Sequence, residues 1–172
     1  MAKNLYESNL LELTKSIEDC LKSKEKLACL VLLYSTIDIM VWLSRDPHDA
    51  DATKDDFVSW VEEFLLPGSG IICSAEDLYT ARCFIIHSYA QVWGVNQSYK
   101  GEANKIHYMW GKTSKETVKH DNGNRLKETA IDLPVEKLVS ALQAAIQRFN
   151  NSLIDNRTLF ELVDERSQKF FI

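Results

Sequence analysis

Leu10, Leu13, Ile17 and Leu21 recur at three- and four-residue intervals, and this spacing predicts an amphipathic helix over 5–22. The next run, LACLVLLYSTIDIMVWL over 27–43, is apolar on most of a helical surface, as the central helix of a bundle is. A polar connection over 44–56 follows, in which Pro47 prevents helix continuation. Thr53, with Asp55 and Asp56 behind it, reads as an N-cap. The third helix carries Phe57, Trp60, Val61, Phe64 and Leu65 until PGSG at 67–70 breaks it. Ser74 starts a fourth helix, with Asp77 three residues on in a variant of the capping box. That helix bears Leu78, Tyr79, Arg82, Ile85, Ile86 and Tyr89, and Gly94 with the polar stretch 96–105 ends it.

KIHYMW at 105–110 and ETAIDL at 128–133 have the character of short strands. The stretch between them is polar and ends in DNGN, which predicts a small β-hairpin inserted around 104–133. Asp132 or Leu133 opens the fifth helix, with Pro134 in its first turn, and Leu138, Leu142, Ala145, Ile146, Phe149 and Leu153 form its stripe. A short polar helix over 156–169 closes the chain. The predicted architecture is all-α: a single domain over 1–172, a bundle of about four to six helices with a small β-hairpin.

Composition adds little to this and charge adds more. At 172 residues the chain is long enough for one ordinary core, and its apolar and charged fractions are globular. The net charge of −5 argues against a whole-molecule nucleic-acid binder. It is uneven, however: residues 100–127 hold seven basic residues against three acids, so this segment is +4 and the remainder −9. Cys20, Cys29, Cys73 and Cys83 show no metal-ligand spacing and read as reduced thiols of a cytoplasmic protein. The N-terminus lacks the apolar stretch of a signal peptide. The run 27–43 approaches membrane-spanning length, but Asp38 near its middle is costly in lipid, so it is expected in the core and no membrane partner is expected.

The chemistry concentrates in ARCFIIHSYA at 81–90. An Arg guanidinium has no accessible neutral form, so Arg82 on a core-facing helix demands a carboxylate or an anion in a cleft. Asp38, the lone acid on the other very apolar helix, is its candidate partner. His87 lies five residues after Arg82, about 140° around a regular helix, whereas Arg82 and Tyr89, seven apart, share a face.

RCFIIH, an Arg and a His with four residues between them near the end of a helix in an all-helical chain, resembles the HEPN superfamily and its Arg-x(4–6)-His hallmark. The longer form Arg82-x4-His87-x-Tyr89 is similar to that of HEPN toxins paired with nucleotidyltransferase antitoxins. EDLYTARCFIIHSYA resembles a group of bacterial HEPN-like proteins, and the helical layout extends the likeness over roughly 5–95. The resemblance implies metal-independent RNA cleavage at a site near the interface of a homodimer, with no cofactor. His87 would act as base or acid around attack by a ribose 2′-OH, a task suited to an imidazole whose ordinary pKa is about 6.5. Arg82 would hold the charge that builds on the phosphate. Tyr89 would contact RNA; in the toxin group the matching Tyr is adenylylated by the antitoxin. Cys83 stands where many active members carry Asn or Asp, which keeps a non-catalytic HEPN-like binding or assembly module as the alternative.

In the basic segment, Lys residues alternate with His107, Tyr108 and Trp110, a pattern that suits phosphates and unpaired bases but equally a solvated hairpin with aromatic anchors. Lys105 and Tyr108, with Asp38 and Tyr89, are therefore the candidate substrate-binding residues beside Arg82 and His87. No ligand spacing among His48, His107 and His120 supports a metal, and no phosphate-loop or serine-hydrolase motif occurs.

Overall fold

A computed structural model describes residues 5–45, 51–88, 105–111, 116–118 and 129–170. It is mainly helical with a small β element. The helices are α1 (Leu5–Ser23), α2 (Lys26–Ser44), α3 (Lys54–Trp60), α4 (Ala75–Ser88), α5 (Val135–Asp155) and α6 (Arg157–Phe170). The strands are β1 (Lys105–Met109), β2 (Glu116–Val118) and β3 (Thr129–Pro134).

α2 is the axis of the bundle and packs against each of the other five helices. Its apolar surface is used on all sides, with Leu30, Leu33, Tyr34, Ile37, Met40 and Leu43 at most 1 % exposed. Among the described residues it is the one helix long and apolar enough to cross a membrane, and half of that stretch is buried in the bundle. Tyr6 of α1 donates to Asn150 of α5 at 2.9 Å, tying the first helix to the last long one across the core.

The connections follow from local chemistry. α1 ends with Lys24 at φ 61°, where the amide of Glu25 donates to Cys20 O and that of Lys24 to Leu21 O. This is the six-to-one and five-to-two closure of a helix C-terminus, here without the usual glycine. Thr53 and Asp56 form a reciprocal capping box at α3. Ser74 and Asp77 do the same at α4, at 2.8 and 3.1 Å. Both start signals in the sequence are realised.

Two features differ from expectation. After α3 the chain forms one π turn over Val61–Leu65 rather than continuing as an α-helix. The inserted residue leaves backbone groups unmatched to the α-helical ladder. Arg148 of α5 reaches across and donates from Nε and Nη2 to Phe64 O at 2.8 and 2.6 Å. The second difference is the β element. The two strands expected as a hairpin do pair, but in parallel, with Ile106 opposite Ile131 and His107 opposite Asp132. β2, hidden in the basic stretch, pairs antiparallel on the other side of β3, so the order is β1-β3-β2. Alternating apolar residues specify a strand and its buried face but not the direction of its neighbour. Asp132 and Leu133 accordingly lie in β3, and Pro134, with extended φ and ψ, caps α5. The sheet leans on α4 through β1 and on α5 through β3.

Candidate functional site

The α2–α4 contact carries the site. Asp38 faces α4 from the middle of α2, and Arg82 faces back from α4. Arg82 Nε donates to both Asp38 oxygens, at 3.1 and 2.9 Å, and Nη2 approaches Asp38 Oδ2 at 2.8 Å. The side chains keep 22 % and 30 % of their surface exposed, so the pair sits at the edge of the core and not within it.

Arg82 Nη1 lies 3.2 Å from His87 Nε2 and 3.9 Å from Cys83 Sγ. The helix is regular through Ser88, so the backbone does separate positions 82 and 87 as expected. What joins them is the length of the arginine stem, which carries the planar head around the helix to the imidazole. A guanidinium has no acceptor, so Nε2 accepts at this contact and the neutral ring carries its proton on Nδ1. His87 itself is exposed. One planar cation thus bridges a carboxylate on α2 and an imidazole at the end of α4.

Burial pushes the Asp38 carboxyl above the usual carboxylate range, opposed by the bonds and charge of Arg82 and by His87. Burial also opposes the charge on Arg82, but the bonds to Asp38 and its charge outweigh that, and the guanidinium pKa is raised. The two directions pull apart on the sign of the pair. The arginine's is decisive, because its guanidinium is a permanent cation, and its short contacts with both oxygens favour the ionised carboxylate.

Beside the pair opens a cleft of about 260 Å³ between α2, the start of α3 and α4. Trp42, Phe57 and Tyr79 line it, and Asp38 and Arg82 bring charge to its wall. Phe57 and Tyr79 meet edge to face at 5.4 Å. These aromatics lie outside the Arg-x4-His motif, yet their spacing carries a signal: Tyr79 precedes Arg82 by three residues and Trp42 follows Asp38 by four, so each shares its partner's helical face.

The other sequence-derived candidates fall elsewhere. Tyr108 on β1 turns inward, and its hydroxyl lies 2.6 Å from that of Tyr34, a fully buried residue of α2. The rings meet edge to face at 6.5 Å. Burial raises both phenols well above their ordinary value, so both stay neutral. The described contacts of Tyr108 thus run to the α2–sheet junction and not to Arg82. Lys105 begins β1, its backbone opposite Ala130. Trp110 lies under the Lys26 ammonium, 5.9 Å from the ring centre. His107 Nδ1 sits 2.8 Å from Asp132 Oδ1 across the parallel strands. Tyr89 and most of the basic segment lie outside the described residues, as do His48 and His120. Among the described residues, no three His, Cys, Asp or Glu side chains gather as a metal-binding group.

In comparisons with known proteins, no family model, no curated protein and no solved structure matches the chain.

Proposed function

We propose that the protein is a HEPN-type, metal-independent endoribonuclease acting through Arg82 and His87. The observation that carries this reading is the 3.2 Å contact between Arg82 Nη1 and His87 Nε2 at the exposed end of α4. Cleavage of RNA through its own 2′-OH needs a proton acceptor beside the hydroxyl and a cation beside the phosphate, and these two groups are neighbours here. When a phosphodiester reaches the site, the Nη1 donor turns to a non-bridging oxygen. The freed Nε2 lone pair takes the 2′-OH proton. The 2′-oxygen forms its bond to phosphorus, the bond to the 5′-oxygen breaks, and water protonates the leaving oxygen, giving a 2′,3′-cyclic phosphate. Asp38 holds Arg82 in place as a positioning residue. We place the activity in a cytoplasmic homodimer of the toxin or defence kind, with a nucleotidyltransferase antitoxin as the fitting partner.

The test is RNA cleavage with EDTA present, comparing wild type with Arg82→Ala and His87→Ala, each checked for native circular dichroism. The expected loss is at least about 100-fold for either variant. Equal cleavage by all three proteins overturns the catalytic assignment. Solution mass tests the dimer separately.

A second reading rests on one specific observation: Arg82 commits Nε and Nη2 to Asp38, with Cys83 in the position beside it. A HEPN-like binding or assembly module without catalysis accommodates that commitment. It predicts RNA bound and left intact by the wild type.

A further inference from the structure

The cleft beside Arg82 has walls that catalysis of phosphodiester cleavage does not require. Three aromatic residues from three elements, Trp42, Phe57 and Tyr79, line a space that Asp38 and Arg82 line as well. An aromatic lining that also carries charge suits a flat, polar-edged ring: its faces lie against apolar surface and its edge meets the charge. The size sets the extent of the ligand. At about 260 Å³ the cleft is smaller than the roughly 300–1,000 Å³ pockets of drug-sized ligands, so it holds one ring system and leaves an attached sugar and phosphate outside. The charged pair sets its chemistry. An ionised carboxylate only accepts hydrogen bonds. Oδ2 of Asp38 already receives Nε and Nη2 of Arg82, whereas Oδ1 receives Nε alone and keeps capacity for another donor. The carboxylate is 30 % exposed and lines the cleft, so that capacity is within reach of a ligand. Adenine, cytosine and guanine present exocyclic amino donors. Uracil presents one ring N–H between two carbonyl oxygens, which set acceptor against acceptor at Asp38.

We infer that this cleft binds the base of the nucleotide whose 2′-OH attacks, and that it selects amino-bearing bases over uracil. The assignment of the ligand as RNA rests on the ribonuclease reading above. The geometry fits it, because the same Arg82 side chain lines the cleft and reaches His87, so one guanidinium stands between a base site and the place of the scissile phosphate.

The test is calorimetric titration of the whole protein with 3′-AMP, 3′-CMP and 3′-UMP, for wild type and for Ala52→Phe. Ala52 lies exposed on the rim of the cleft, before α3 begins, so a larger side chain there fills the space without disturbing the core. The expected result is that 3′-AMP and 3′-CMP bind at least about tenfold more tightly than 3′-UMP, and that Ala52→Phe weakens them by a similar factor. Equal binding of 3′-UMP, unchanged binding in Ala52→Phe, or no binding of any of the three overturns the proposal. The wild-type comparison among bases needs no variant to fold. The cleavage assay separates the two readings. A base preference in binding without cleavage leaves the cleft assigned as a base-binding site and removes the ribonuclease reading, and with it the attacking 2′-OH. Cleavage indifferent to base and to Ala52→Phe does the reverse.

Discussion

Arg82 offers five N–H groups in a rigid plane, and the structure spends them in two directions. One edge is bidentate on Asp38, and the opposite nitrogen is on His87. A half-buried pair of this kind lies between two regimes. Exposed ion pairs contribute about 0–1 kcal/mol, while removing one partner of a buried pair costs about 3–5 kcal/mol. A double-mutant cycle on Asp38→Ala and Arg82→Ala, measured by urea denaturation, is therefore expected to give a coupling of about 1–3 kcal/mol. A coupling near zero would show that the two residues act independently and would remove Asp38 from its positioning role. The same cycle guards the cleavage experiment, since it separates the stability lost in Arg82→Ala from lost chemistry.

The elements are defined by their ends more than by their middles. Capping boxes at Thr53 and Ser74 start α3 and α4 where the sequence predicts, because each needs only residues three apart. The end of α1 is less well matched. Lys24 takes the left-handed conformation that closes the helix, at φ 61°, where a side chain carries a penalty of about 1–2 kcal/mol and glycine carries none. Lys24→Gly is expected to raise stability by about 0.5–1 kcal/mol, the gain being reduced by the greater freedom of glycine in the unfolded chain. A fall in the urea midpoint would show that the Lys24 side chain contributes more than its backbone strain removes. α6 is held by a different device: buried Arg166 donates from Nη1 to the carbonyls of Trp42, Leu43 and Arg45, satisfying the C-terminal end of α2. A polar helix with a modest apolar stripe is thereby fixed to the central one.

At the scale of the molecule, the core carries titratable groups that are neutral when protonated. Burial pushes the Cys29 thiol up to about 11 and the Cys73 thiol up to about 12, and it raises Tyr6, Tyr34 and Tyr108 as well. In each case the folded pKa lies above the unfolded one. The folded state therefore binds more protons in alkaline solution, and the contribution is whole below about pH 9 and is lost as the pH climbs through the folded values. The urea midpoint is expected to hold between pH 7 and 8.5 and to fall steadily from about pH 9 upward. A midpoint unchanged to pH 11 would mean that these groups ionise as easily in the native core as in the unfolded chain.

Chain pattern alone was sufficient for the helices, their order, the burial of the 27–43 run and the candidate status of Arg82, Asp38 and His87, because periodicity and caps are local and a buried guanidinium must be answered. Three things required the assembled fold. The direction of β1 against β3 depends on where the chain returns, and a three-residue strand such as β2 is too short to show a period. At the π turn over Val61–Leu65, the Phe64 carbonyl is answered by Arg148, more than eighty residues away. The meeting of Arg82 with His87 depends on a side chain whose reach exceeds the helical phase that separates them, and the aromatic cleft beside it depends on α2, α3 and α4 packing together. Helical phase is a property of the backbone, whereas contact also depends on side-chain length and on neighbours distant in sequence.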